Sequence, residues 1–146
     1  MASIDTTLLI HAPIDRVLQI ARDNRSFPDF MDDVKSLTVV QDEGDRVVSE
    51  WIGVISAFNV KVRWTQEDKW HGNRCDFVQL KGDYDSMSGY WEFKDEGQGH
   101  TRFTSHVDYE YNVPALGALV KKVIHSLATK NIEALMAAIK HRAEAN

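Results

Sequence analysis

Six histidines, one cysteine and twenty-two acidic side chains are the groups in this 146-residue chain that could carry proton, metal or nucleophile chemistry. The histidines, at 11, 71, 100, 106, 125 and 141, include no pair at the spacing of a metal-binding helix, and no nucleophile elbow or phosphate loop occurs. Neither a metal nor a cofactor is expected. Gly97-Gln98-Gly99 starts like a dinucleotide fingerprint but runs into His100-Thr101-Arg102, so it reads as a hairpin turn. His106 and Asp108 share one strand face and could hold a proton or a metal, yet their parity opposes that of Phe103 and Val107, which places them on the surface. Cys75 reads as a small buried residue, and Asn24-Arg25-Ser26 as a chance glycosylation match. Asp68 is the one catalytic candidate. On the inward parity it could be a general base with a pKa raised by desolvation, although the polar run Gln66-Glu67-Asp68-Lys69 puts it at a cavity rim. Asn131 is the single polar residue on an apolar helix stripe and needs a partner: a sheet side chain, a water or a ligand.

The elements that would position these groups follow from changes in apolar period. After an extended run from Ser3 to His11, Pro13 opens a helix over about 13–23, with Ile14, Val17, Leu18 and Ala21 at helical spacing. Ser26 supplies a hydroxyl cap for a second, very short helix at Phe27-Pro28-Asp29-Phe30-Met31. From Val34 to Tyr111 the pattern is of six antiparallel strands, with turns at Asp42-Glu43-Gly44-Asp45, His71-Gly72-Asn73 and Glu96-Gly97-Gln98-Gly99. Phe58, Val60, Val62 and Trp64 alternate with Asn59, Lys61, Arg63 and Thr65, and Met87, Gly89, Trp91 and Phe93 alternate with polar residues in the same way. Pro114 ends the strands, and Leu116, Val120, Val123, Ile124, Leu127, Asn131, Leu135 and Ala138 make one stripe of a final helix to about 142.

The length fits one domain over residues 1–146, and the formal charge of −5 excludes general nucleic-acid binding. Lys121, Lys122, Lys130, Lys140 and Arg142 against Glu133 and Glu144 leave +3 on residues 115–146, so the rest carries −8. That basic helix is either a solvated face beside an acidic body or a docking face for an acidic partner. One cysteine permits no internal disulfide, and the start of the chain reads as neither a signal peptide nor a membrane span, so a cytoplasmic setting is expected for a monomer or homodimer.

Seven strands at about 4.8 Å spacing are roughly 30 Å wide, whereas a helix with its side chains is about 10–12 Å across. The sheet must curl around the helix, and large side chains or a ligand must fill the remaining space. Parity turns Trp64, Gln66, Asp68 and Trp70 to one face, and Met87, Trp91 and Phe93 to one face. The cost of burying Glu50 or Asp76 turns Val47, Ser49 and Trp51, and Cys75, Phe77 and Gln79, inward. Bulky rings with scattered polar groups suit a pocket wall better than a sealed core.

The segments Ala12-Pro13-Ile14-Asp15-Arg16-Val17, Phe27-Pro28-Asp29-Phe30, Gly82-Asp83-Tyr84, Gly89-Tyr90-Trp91-Glu92-Phe93 and Asn131-Ile132-Glu133-Ala134-Leu135, in this order, resemble the START-like, polyketide cyclase/dehydrase-like helix-grip superfamily (SRPBCC, Bet v 1-like). The resemblance implies an α+β helix-grip fold: a seven-stranded curved antiparallel sheet wrapped around a long C-terminal helix, with two short helices after the first strand. It also implies a cavity for lipids, sterols, quinones or polyketides. In the aromatase/cyclase branch, the pocket positions fall on Phe27 and Met31, on Trp64, Met87 and Trp91, and on Asn131, while Asp68 stands where that branch has an arginine. Without that cation an enolate lacks its electrostatic stabiliser, which tilts the reading from catalysis towards binding. The expected ligand set is Phe27, Phe30, Met31, Trp51, Trp64, Phe77, Gln79, Met87, Trp91 and Asn131, with Phe27 to Met31 as a lid. Polyketide cyclase/dehydratase activity, and an interaction role in ribosome assembly or respiratory quinone function, are the alternatives.

Overall fold

The computed structural model describes residues 2–55, 60–111 and 118–145, with the side chains of 55, 60 and 118–120 left aside. The expectations at Phe58, Asn59, Pro114 and Leu116, and for the Val120 side chain, lie outside the described residues. Strand β1 (Ala2–Ile10) is followed by α1 (Ile14–Arg22), a 3-10 turn (Asn24–Ser26) and α2 (Phe27–Phe30). Six strands follow: β2 (Val34–Asp42), β3 (Arg46–Ile55), β4 (Val60–His71), β5 (Arg74–Gly82), β6 (Ser86–Gly97) and β7 (His100–Glu110). The long α3 (Ala118–Glu144) comes last. The strands form one antiparallel sheet in the order β1-β7-β6-β5-β4-β3-β2. Every neighbouring pair except β1 and β7 is consecutive in sequence, so short turns set the registers. The helices α1 and α2 carry the chain from one sheet edge to the other.

Burial follows strand parity most cleanly on β7, where Thr101, Phe103, Ser105, Val107 and Tyr109 are buried and the residues between them are half-buried. At the β6–β7 turn Gly97, Gln98 and Gly99 all have positive φ, and the Gly97 N–H donates to Asp95 Oδ1 at 2.8 Å. Ser26 differs from expectation. Its hydroxyl donates to Asp23 Oδ2 and caps no helix, because its backbone is already helical (φ −83°, ψ −11°), not in the extended form a capping residue adopts.

One end of α3 is pinned to the sheet. Arg16 Nε donates to the Ala143 carbonyl (2.7 Å), and its Nη2 reaches the carbonyls of Arg142 and Ala145, serving acceptors a helix C-terminus leaves unpaired. Lys140 Nζ donates to Leu9 O and pairs with Glu144, whose carboxylate also receives the His11 N–H. Met136, Ile139 and Ala143 are accordingly buried, whereas Val123, expected on the buried stripe, is 38% exposed. The buried stripe is therefore shifted towards the pinned end, where α1 and β1 also pack.

The convex face holds an ionic cluster that joins the first and last strands. His106 Nδ1 meets Asp5 Oδ1 at 2.6 Å and its Nε2 meets Asp108 Oδ2 at 2.9 Å, bracing β1 to β7. Asp108 also accepts from Ser3 Oγ. Hydrogen bonds to Asp5 and then Asp108 raise the His106 pKa above its usual 6.5. That stabilisation is complete below pH 6.5 and is lost as pH rises through the raised pKa. The wild-type unfolding free energy from urea denaturation should fall across that range, by no more than about 1 kcal/mol for a half-buried group on the outer face, and His106→Gln should flatten the step.

Gly89 packs where no side chain fits: a Cβ would stand 2.0 Å from the His106 carbonyl oxygen and 2.9 Å from the Phe77 ring. Gly89→Ala should cost about 3 kcal/mol or more in chemical denaturation. An unchanged midpoint would mean the strands separate there at little cost.

Candidate functional site

The concave face of the sheet and α3 border a cavity of about 140 Å³, roughly ten times what one water requires. Its wall is largely aromatic. Trp51 and Trp64, paired across β3 and β4, stack at 5.5 Å with 14° between their planes. Phe27 from α2 lies 5.9 Å from Trp51 and 6.3 Å from Trp91, and Tyr84 meets Trp64 edge-on at 5.9 Å. These rings form a near-continuous shelf along the sheet, with Phe77, Met87, Val107 and Tyr109 beyond it and Ala128, Asn131, Ile132 and Leu135 of α3 opposite.

Of the expected ligand set, Phe27, Trp51, Trp64, Phe77, Met87, Trp91 and Asn131 line this cavity. Phe30, Met31 and Gln79 do not. Phe30 turns away: its ring meets Phe27 edge-on and lies under the Arg142 guanidinium, 4.5 Å from it. Met31 is buried in the main core, and Phe27 is only 2% exposed, so the segment expected as a lid is built into the core. Gln79 faces inward on β5, but its Nε2 donates to the Tyr84 carbonyl, which draws it to the end of the strand. Asn131 makes no side-chain hydrogen bond among the described residues and presents its amide to the cavity.

Asp68 is the main correction. It is 7% exposed and stands on the cavity wall, not at the rim, because β4 runs on for three further residues to His71 and Trp70 is buried beyond it. A ladder of side chains leads to it along β4. Trp64 Nε1 donates to Gln66 Oε1 (2.9 Å), and Gln66 Nε2 donates to Asp68 Oδ1 (2.7 Å). Burial pushes the Asp68 carboxyl up to about 6, against the opposing hydrogen bond from Gln66, with the charge of Glu67 adding to the rise. On β3, Trp51 Nε1 likewise donates to Ser49 Oγ. Burial, followed by the charges of Asp68 and Asp76, pushes the Cys75 thiol far up, which leaves it un-ionised and unreactive.

The sequence reading missed several wall residues. Arg22 and Asn24 come from the end of α1 and the 3-10 turn, where no strand parity applies; Arg22 also lies over the Trp70 ring and pairs with Asp45. Tyr84 sits in the β5–β6 turn, and burial raises its hydroxyl to about 12. Tyr109 Oη and His125 Nδ1 share a hydrogen bond of 3.2 Å. The aromatic residue at Tyr84, within an otherwise polar turn, was the one available signal for that position.

Comparison with known proteins now places the chain. Residues 10–136 match the family described as polyketide cyclase / dehydrase and lipid transport. The chain belongs to this family. No curated protein matches it. Among solved structures, TTHA0849 from Thermus thermophilus is 34% identical, with 97% of each chain covered and a TM-score of 0.90. The Zhui aromatase/cyclase from Streptomyces sp. R1128 is 16% identical over 98% of this chain and 93% of its own (TM-score 0.88). A START superfamily protein from Mycobacterium smegmatis is 18% identical over 97% of each chain (TM-score 0.82). The last two share the fold, and the architecture is the helix-grip fold of START-like proteins.

In this member of the polyketide cyclase/dehydrase family, the raised Asp68 pKa has a consequence for stability. The penalty for burying the carboxylate is absent below pH 3.8, grows as pH rises to the folded-state value of about 6, and is complete above it. Asp68→Asn keeps the acceptor for Gln66 and removes the charge. The variant should therefore be more stable than wild type at pH 7.5, by about 2–3 kcal/mol, with the difference vanishing near pH 4. Thermal or urea denaturation across that range measures it.

Proposed function

We propose that the protein binds a small, largely apolar, ring-bearing molecule in the cavity between the sheet and α3, as a carrier or a sensor. One observation carries this reading: the Phe27, Trp51, Trp64, Trp91 and Tyr84 rings line the space without closing it. A ligand burying about 200 Å² of apolar surface there gains about 5 kcal/mol before its loss of freedom is counted, and planar rings favour planar partners. The family description, which includes lipid transport, agrees with it.

Native mass spectrometry of the protein purified from its own host should find a co-purifying apolar small molecule. In calorimetry, Trp91→Leu should weaken binding of that molecule about fivefold. Unchanged affinity, or repeated recovery of the protein without any ligand or affinity for aromatic probes, would overturn the reading.

A cyclase or dehydratase role has one observation in its favour: Asp68 is a cavity-wall carboxyl with a pKa of about 6, suited to general-base work near neutrality. Turnover of a poly-β-ketone surrogate that falls at least tenfold in Asp68→Asn would support catalysis. Identical product patterns with and without protein would remove it.

A further inference from the structure

The hydrogen bonds along β4 have a fixed direction. An indole N–H can only donate, so Trp64 Nε1 fixes the oxygen of the Gln66 amide towards itself. The Gln66 amide nitrogen must then face Asp68, and it donates to Oδ1. Asp68 is thus the terminal acceptor of a donor chain, and a carboxylate with about four lone-pair sites accepts one side-chain hydrogen bond. Its neighbours across the sheet, Val47 on β3 and Phe77 on β5, offer no polar side-chain atom. The next group on β5, the Cys75 thiol, lies within hydrogen-bonding reach of the Asp76 carbonyl instead. A buried carboxylate so short of donors is costly unless the cavity supplies one.

We infer that Asp68 selects for ligands carrying a hydroxyl group, phenolic or alcoholic, which donates to the free side of its carboxylate while the ring system lies along the tryptophan shelf. This rests on the binding reading above and adds the chemistry of the ligand's polar end. A neutral hydroxyl fits better than an ammonium group, because the wall around the carboxylate is largely rings and aliphatic groups, in which an ammonium would lose its own hydration. Glu67, beside it on β4, is the charge that acts on Asp68; the Cys75 thiol on β5 feels Asp68, Asp76 and Arg22, the last paired with Asp45, and Asp33, Tyr84 and Tyr109 are the other titratable groups on the cavity wall. From α3 the cavity receives the uncharged Asn131. Protonation of Asp68 removes the carboxylate acceptor, so the selectivity weakens as pH falls through its titration near 6.

Calorimetric titration with 2-naphthol and with 2-methoxynaphthalene, which has the same ring but no donor, tests the inference. At pH 7.5 the wild type should prefer the naphthol about tenfold, and the preference should shrink as pH is lowered to 5. Asp68→Asn turns an amide N–H towards the ligand in place of an acceptor, so the preference should drop to within about twofold or reverse. Asp68→Leu, a second variant without hydrogen-bonding groups, should bind both probes alike. If wild type binds both probes equally, or if Asp68→Asn keeps the full preference, the hydroxyl selectivity is wrong while the aromatic cavity stands. If neither probe binds, the cavity reading and this inference fall together.

Discussion

A seven-stranded sheet offers one helix more apolar surface than the helix can cover, and the architecture is a response to that mismatch. The chain does not centre α3 over the sheet. It clamps the C-terminal end, through Arg16 on the last carbonyls and the Lys140–Glu144–His11 cluster, so Met136 and Ile139 are fully buried. Towards its other end the helix presents half-buried Ile124, Leu127 and Ile132, and the space under it opens into the cavity. A void of this size would cost an ordinary aliphatic core about 3 kcal/mol. Here the wall is made of rings that touch one another in stacked, tilted and edge-on pairs, so much of their contact is retained whether or not the space is occupied.

Two adjacent carboxylates on β4 show how the curved sheet divides chemistry between its faces. Glu67 points to the convex side, where Arg46 donates to it and Lys69 stands near; the hydrogen bond from Arg46 holds its pKa below the usual carboxylate value. Asp68, one residue on, points inward, and loss of water raises its pKa to about 6. The same residue chemistry thus yields a structural ion pair on one face and a titratable, donor-seeking group on the other. Strand parity alone makes the difference.

That parity was also what made the site legible in sequence. Trp51, Trp64, Phe77, Met87 and Trp91 all reach the cavity, because alternation fixes a side chain's face once the strand is recognised. Depth was harder to read. A polar run looked like a rim at Asp68, yet β4 continues past it and Trp70 buries that end, which only the length of the neighbouring strands decides. Where no period applies, reading failed in both directions. Phe30 ends the short α2 and Met31 follows it; so few residues set no reliable face, and both pack against the core instead of the cavity. Arg22, Asn24 and Tyr84 reached the wall from a helix end and turns. Gln79 has the right parity but was drawn off by the Tyr84 carbonyl, a contact invisible to alternation.

Most other groups capable of chemistry are occupied by the fold. His106 is shared between Asp5 and Asp108. Lys140 and Arg142, which the charge count assigned to a basic docking face, are drawn to the Leu9 carbonyl and the Phe30 ring, leaving Lys121, Lys122 and Lys130 as that helix's exposed lysines among the described residues. Cys75 is held un-ionised by its surroundings. Asp68 differs from all of these: it is buried, titrates near neutrality, and ends a chain of donors facing open space. Stability alone would favour an apolar residue or an amide at that position, since the carboxylate carries a desolvation penalty without an ion-pair partner. A charge kept at such cost, within the one wall that the helix leaves uncovered, is best accounted for by what enters the cavity.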